Sequence, residues 1–208
     1  MQISLGRPKD LSKRQRILDS AKALFLKQGY LGSSMNQIAA EAGVSKLTVY
    51  SHFRDKATLF TAAIEETCSQ LLHTQPLYIQ HADEFGSILR QACLLNLSIV
   101  CLPEAIKLDH LLLNLSADQP ELMQQFYAAS HGRMQQMWYR LLQQAIDLDC
   151  LENVDIHILE NCLVSLLLGK RHHEMLLGIR AIPTATEQQH IVDNSISLFL
   201  LKYKRKNP

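Results

Sequence analysis

Apolar residues recur along this chain at intervals of three and four, and no stretch alternates convincingly with a period of two, so nearly every ordered segment reads as helix. The first helix carries Ile17, Ala21, Leu24 and Phe25 on one face. Ser12 opens it with a capping box to Gln15, in which backbone N–H groups at the helix start find side-chain acceptors. Gly29 closes it, because glycine takes the left-handed conformation of a helix end without steric cost. A second box, Ser34 to Gln37, starts a short helix with Ile38, Ala39 and Ala42 on its apolar side and a stop at Gly43. Ser45 caps a third helix, and Asp55 a fourth that runs from about Lys56 to Leu72.

After the break "HTQPLYIQHAD", helical spacing returns over about 83–101, 103–115, 120–147, 155–177 and 186–204, with Pro, Asp and Asn between the segments. The expected fold is all-α. It divides into a basic arm over 1–11, a three-helix domain over 12–58 and a larger helical domain over 59–208.

Gly43, Val44 and Ser45 make a turn of the length that joins two helices nearly at right angles, and the small Ala39 lets those helices approach closely. On the third helix Val49 and Phe53 share the inner side with Val44 before it, while Leu47, Thr48 and Ser51 share the outer side, flanked by Tyr50 and His52. Such an uncharged, small-featured face enters a DNA major groove about 12 Å wide, where hydroxyls meet base edges and Leu47 meets a thymine methyl. Groups suited to phosphate oxygens surround it: Ser33, Ser34, Ser45 with the N–H groups of its helix start, Lys46, Tyr50, His52 and Lys56. Arg7, in the "GRPK" arm of residues 6–9, suits an adjacent minor groove; a basic tail with no such role is the open alternative. A plain three-helix bundle explains the apolar spacing and leaves this clustering unexplained.

Composition sharpens the picture. Of 208 residues, 47% are apolar and 20% charged, the balance of an ordered globular chain. The net charge of +1 conceals an asymmetry: residues 1–58 hold 10 Lys and Arg against 4 Asp and Glu, whereas residues 59–208 hold 11 against 16. A basic head on an acidic body points to a polyanion as partner of the head. The 5 cysteines include no C-x-x-C pair, which fits a reducing compartment. The amino terminus lacks an apolar signal core and no run approaches the roughly 20 apolar residues of a membrane span, so a cytoplasmic protein with no membrane partner is expected.

The span from Ser12 to Phe60, centred on "ILDSAKALFLKQGYLGSSMNQIAAEAGVSKLTVYSHFRDKATLF", resembles the amino-terminal DNA-binding domain of TetR/AcrR-type bacterial transcriptional regulators. In that family the aromatic after Gly29, the Ser/Thr pair before helix two, the I-A-x-x-A-G-V-S run, the T-x-Y-x-H-F segment and the following lysine recur together. The resemblance implies that Ser34, Lys46, Thr48, Tyr50, His52 and Lys56 lie at the DNA surface. Leu47 departs from the pattern where a small residue is frequent, and Ala57-Thr58 where acidic residues are common.

A single head covers one half-site, so a sequence-specific regulator pairs two heads about 34–36 Å apart on a palindromic double-stranded operator. The stretch "IHILENCLVSLLL" is apolar nearly all round, and Ile191, Val192, Ile196, Leu198, Phe199, Leu200 and Tyr203 form a broad stripe. A helix with two buried faces needs its own core and another subunit, so the last two helices are expected to carry a homodimer. A central helix within one subunit is the alternative for the first of them. TetR-like proteins form a four-helix bundle from these helices across the dimer axis. More loosely, "PELMQQFY", "RLLQQAI" and "LLLGKRHHEMLLG" resemble the carboxy-terminal domain of the AefR-like branch, with Asp149-Cys150-Leu151 in place of a glycine-containing turn. This resemblance implies that the middle helices enclose a pocket for an unknown small-molecule effector, whose binding tilts the fourth helix and releases DNA. His110, Tyr127, Met134, Met137 and Trp138 are the candidate lining, and the same spacing also suits a plain core.

Other chemistry finds less support. The adjacent His172 and His173 of "KRHHE" point about 100° apart on a helix, which suits no single metal ion. Cys93 and Cys101 lie about 12 Å apart along a helix, beyond the reach of a disulfide. No G-x-S-x-G, P-loop or dinucleotide fingerprint occurs, so neither an enzyme nor a cofactor is expected. The expected function is a sequence-specific DNA-binding regulator, a repressor released by a small-molecule effector. The rival is a DNA-binding dimer that organises DNA or recruits protein without an effector.

Overall fold

The computed structural model describes residues 11–72 and 77–205. Among them are the helices α1 (Leu11–Gly32), α2 (Met35–Glu41), α3 (Lys46–His52), α4 (Lys56–Leu72), α5 (Phe85–Val100), α6 (Pro103–Asp118), α7 (Pro120–Asp147), α8 (Ile156–Leu176) and α9 (Ala185–Tyr203). A 3-10 turn over Ala82–Glu84 leads into α5. No strand forms among the described residues; an isolated antiparallel bridge joins Leu151 to Lys204. No single helix among them is long and apolar enough to cross a membrane. The all-α expectation stands, and Arg7 with the rest of the "GRPK" arm lies outside the described residues.

The chain divides into two compact units, of which the first runs to Cys68 and takes in Leu115–Ser130. Its centre is Ile17, Leu18, Ile38, Val49 and Leu59, all fully buried. This unit reaches past the expected boundary at 58 for an aromatic reason. Phe60 of α4 gathers Phe25 at 4.7 Å, Tyr30 at 4.9 Å and Phe126 at 4.6 Å between ring centroids. Phe25 and Phe126 meet Phe60 edge to face, at 82° and 71°, and such pairs contribute beyond their buried area, so the start of α7 belongs with the head. Gln125 Nε2 donates to Thr61 Oγ1 at 2.8 Å beside them.

Backbone punctuation in this unit follows the expected stops. Gly29 leaves the helical region at φ 76° and ψ 168°, after which one more turn carries Tyr30. Gly43 makes the turn between α2 and α3 at φ 62°. Among the described residues α1 begins at Leu11, one residue before the expected cap Ser12, and the Gln15 amide donates to Asp19 Oδ1 at 3.0 Å.

The second unit comprises Ser69–Asn114 and His131–Pro208. Leu89, Cys93, Leu141, Leu142, Leu159, Leu163 and Phe199 are fully buried at its core. Two departures from the sequence reading matter. The helix expected to be continuous over 155–177 breaks at Gly169 (φ 45°, ψ −155°), where a side chain would strain the backbone. Helix α9 starts at Ala185, one residue early, because the Thr184 hydroxyl accepts the Glu187 N–H at 3.2 Å.

Tyr203 and Arg205 are tied to the turn after α7, where Asp149 takes φ 57°. Glu152 N–H donates to Tyr203 O at 2.8 Å, and Arg205 N–H donates to Cys150 O at 3.1 Å. Arg205 also pairs with Asp149. While Leu159, Leu163, Val192 and Phe199 turn inward, Ile158 of α8 and Leu198 and Leu201 of α9 remain exposed.

Candidate nucleic-acid interface

Helix α3 is placed by its inner side. Val49 (0% exposed) and Phe53 (2%) anchor it in the head core. Its start is fixed by Ser45, whose Oγ accepts the Thr48 N–H at 3.1 Å and lies 2.8 Å from Thr48 Oγ1. Ser51 Oγ donates to Thr48 O at 2.7 Å, which leaves its acceptor lone pairs outward. What remains is a small, mostly uncharged outer face. Leu47 is 80% exposed and Tyr50 42%, both large and apolar in part, on a seven-residue helix with no packing reason to leave them there.

Lys46 stands with its Nζ 5.8 Å from the centroid of the Tyr50 ring, so a cation and a phenol hydroxyl share one edge of that face. Ser34 is exposed at the start of α2, where its Oγ accepts the Gln37 N–H at 3.3 Å and donates to Gln37 Oε1 at 2.9 Å. Half of the expected capping box therefore forms. His52 is half-buried, its ring 6.4 Å from that of Phe53.

Two of the expected phosphate contacts have other work. Ser33 is buried, at 4% exposure, and its Oγ donates to Gly29 O at 2.7 Å, closing the end of α1. Lys56 turns inward, with Nζ donating to Tyr30 O at 2.8 Å and to Ser33 O at 3.0 Å. Burial pulls its pKa below the ordinary lysine value. The Tyr30 carbonyl already takes the Ser33 N–H at 3.4 Å, and the ammonium adds a shorter bond to it and one to the Ser33 carbonyl just past the positive-φ Gly29. A lysine in this register is legible in the sequence; its carbonyl acceptors are not.

None of the five residues expected to line an effector pocket is among the lining of the cavity described below. Trp138 is core, 1% exposed, and its Nε1 donates to the buried Asn96 Oδ1 at 2.9 Å. Met134 and Met137 are half-buried against the same core. His110 is exposed, with Nε2 2.7 Å from Leu176 O, and Tyr127 is an exposed residue of the first unit. Nearby, burial pushes the Asp109 carboxyl up, opposed by His131 at 3.8 Å.

A cavity does exist in the second unit, among Leu97, Cys101, Leu167, Met175, Pro183 and Ile191, with Arg171 and His172 as its polar lining. Its enclosed volume is about 10 Å³, room for roughly one water molecule, within about 220 Å³ of empty space that includes the open mouth. Arg171 was legible in "KRHHE" only as a neighbour of two histidines. Its importance lies in partners far along the chain, Glu187 and Ala181, which no local spacing reveals.

Two family models match the chain. That of the bacterial regulatory proteins of the tetR family covers residues 17–63, and that of the AefR-like transcriptional repressor carboxy-terminal domain covers residues 87–205. The HTH-type transcriptional regulator AcrR of Shigella flexneri is 48% identical over 48 residues, which is 23% of this chain and 22% of AcrR, so that likeness spans about a fifth of the relative. The uncharacterized HTH-type transcriptional regulator YvkB of Bacillus subtilis (strain 168) is 25% identical over 195 residues, 89% of this chain and 94% of YvkB. Among solved structures, the flavonoid-responsive regulator FrrA matches with a TM-score of 0.78 at 25% identity, over 95% of this chain and 100% of FrrA.

Proposed function

Since this chain belongs to the TetR family of bacterial transcriptional regulators and is a DNA-binding regulator, we propose that it is a homodimeric repressor released from a palindromic operator by a small-molecule effector. The single observation that carries the DNA-binding part is the outer face of α3, with Leu47 and Tyr50 exposed beside Lys46 while Val49 and Phe53 lock the helix below. In this reading Leu47, Thr48 and Ser51 meet base edges in the major groove. Ser34, Ser45, Lys46, Tyr50 and His52 meet phosphates and fix the register. Ser33 and Lys56 shape the head from within. The exposed apolar residues of α8 and α9 supply the partner surface of a dimer. The name of FrrA supports a small-molecule input to this fold.

In vitro selection of bound DNA, followed by salt titration of variants, tests the interface. Lys46→Ala or Tyr50→Phe is expected to weaken binding to all sequences alike, with the salt slope for Lys46→Ala falling by about one. Thr48→Ala or Leu47→Ala is expected to change which sequence is preferred. Equal effects of both sets on every operator would contradict the division of roles.

The second reading, a DNA-organising or protein-recruiting dimer without an effector, draws support from the small enclosed volume of the cavity. Release of the selected operator by members of a compound library separates the two. A library with no releasing compound, against a protein that still bends or bridges DNA, favours the second.

A further inference from the structure

We propose that the second unit holds a binding site for an apolar monocarboxylate, with Arg171 receiving its acid head. The consequence for DNA rests on the effector reading above; the binding itself does not. The walls of the cavity are apolar: Leu97 of α5, Leu167 and Met175 of α8, Ile191 of α9. Its polar lining is Arg171 and the adjacent His172, and no carboxylate lines it.

The guanidinium is only partly used. Arg171 Nε donates to Glu187 Oε1 at 2.7 Å, while Nη2 donates to Ala181 O at 2.6 Å and to Glu187 Oε2 at 3.3 Å. Nη1 is buried with no hydrogen-bond acceptor among the described residues. A buried N–H of a charged group without an acceptor is costly, and an ionised carboxylate is the acceptor that relieves it best. The carboxylates nearest Arg171 are each divided among cations: Glu187 is shared between Arg171 and Arg180, and Glu174 pairs with Lys170 at 3.4 Å and Arg180 at 3.7 Å. Asp109 stands on the His172 side. The apolar walls select a hydrocarbon tail behind the acid head.

Admission needs movement, since the enclosed space holds about one water. The break at Gly169 supplies it. The helix kinks at Gly169, two residues before Arg171, which makes that position the hinge about which the segment carrying the guanidinium moves in this reading.

Calorimetric titration of the full chain with octanoate and with octanamide, its uncharged counterpart, tests the site. Octanoate is expected to bind at least about tenfold more tightly than octanamide, the worth of one charge-assisted hydrogen bond. Arg171→Lys keeps the charge and loses the fork, and is expected to weaken octanoate about tenfold while leaving octanamide unchanged. Glu187→Gln removes the internal competitor and is expected to tighten octanoate, the opposite of what a loss of fold would produce. Equal affinity for acid and amide, absence of octanoate binding, or weakening by Glu187→Gln in a variant that melts cooperatively overturns the proposal. Operator affinity is read separately. Octanoate that binds through Arg171 yet leaves DNA bound supports the site and removes the effector reading; a different compound that releases DNA where octanoate does not bind does the reverse.

Discussion

The ammonium of Lys56 stands 4.3 Å from the centroid of the Tyr30 ring and donates to the carbonyl oxygen of the same residue at 2.8 Å. With its second bond, to Ser33, it ties the first turn of α4 to the end of α1. Lys56→Met is expected to destabilise the protein by about 1–3 kcal/mol, because two carbonyls lose a charged donor. Thermal unfolding measures this. The salt slope of DNA binding is expected to stay at the wild-type value, and a slope smaller by one would instead make Lys56 a phosphate contact.

Trp138 and Asn96 form a buried polar pair inside an apolar core. Asn96→Leu leaves the indole N–H without its acceptor and is expected to cost about 1–3 kcal/mol in urea unfolding. Trp138→Ala, which also empties a large volume, is expected to cost about 3–5 kcal/mol. A loss below about 0.5 kcal/mol for either would remove the pair from the core.

Asp55 caps α4 by accepting the Thr58 N–H at 2.7 Å and the Thr58 hydroxyl at 2.8 Å. These bonds hold its carboxyl below the ordinary carboxylate range. A depressed carboxyl contributes stability that is fully present above its unfolded pKa and is lost as pH falls through its folded pKa. Asp55→Ala is therefore expected to cost about 1 kcal/mol at neutral pH, with the gap to wild type closing as pH drops below about 4. Denaturant unfolding over a pH series reads the gap, and a gap that widens in acid would contradict the sign.

Leu198 is 56% exposed and Leu201 79% exposed on α9, opposite its buried Val192 and Phe199. Leu198→Asp combined with Leu201→Asp is expected to leave the subunit folded, because neither side chain contributes to its core. In the proposed dimer this face meets the partner, so sedimentation is expected to show a paired wild type and a single-subunit double variant at the same concentration, with operator affinity of the variant falling steeply on dilution. A paired double variant would place the partner surface elsewhere.

Much of the head was legible because its signals are local. Glycine at positions 29 and 43, the hydroxyls of Ser34 and Ser45 and the carboxylate of Asp55 act on backbone groups within a few residues, so the chain announces where its helices stop and start. The outer face of α3 was legible for a related reason, since helical geometry alone puts Leu47 and Thr48 opposite Val49 and Phe53. Thr184, the last residue of the loop over 177–184, carries the same local signal, with Glu187 at the matching interval, against a loop of mixed character that blurs it.

Partners distant in sequence were not legible. Ser33 and Lys56 differ from Ser34 and Lys46 in nothing a local pattern records, yet one pair turns inward and the other outward. Trp138 has the look of a pocket residue until Asn96 is found beside it, and Arg171 has the look of a surface cation until Glu187 is.

The sequence by itself determined the helices, most of their ends and the face of α3 that stays out of the core, because hydrogen bonding and side-chain direction along a helix depend on neighbours one turn away. Tertiary structure alone decided the recruitment of Phe126 to the head, the break of α8 beside a half-used guanidinium and the commitment of Lys56 to two carbonyls. Those outcomes depend on which surfaces meet after the chain has folded, and on the need of every buried polar group to find a partner there.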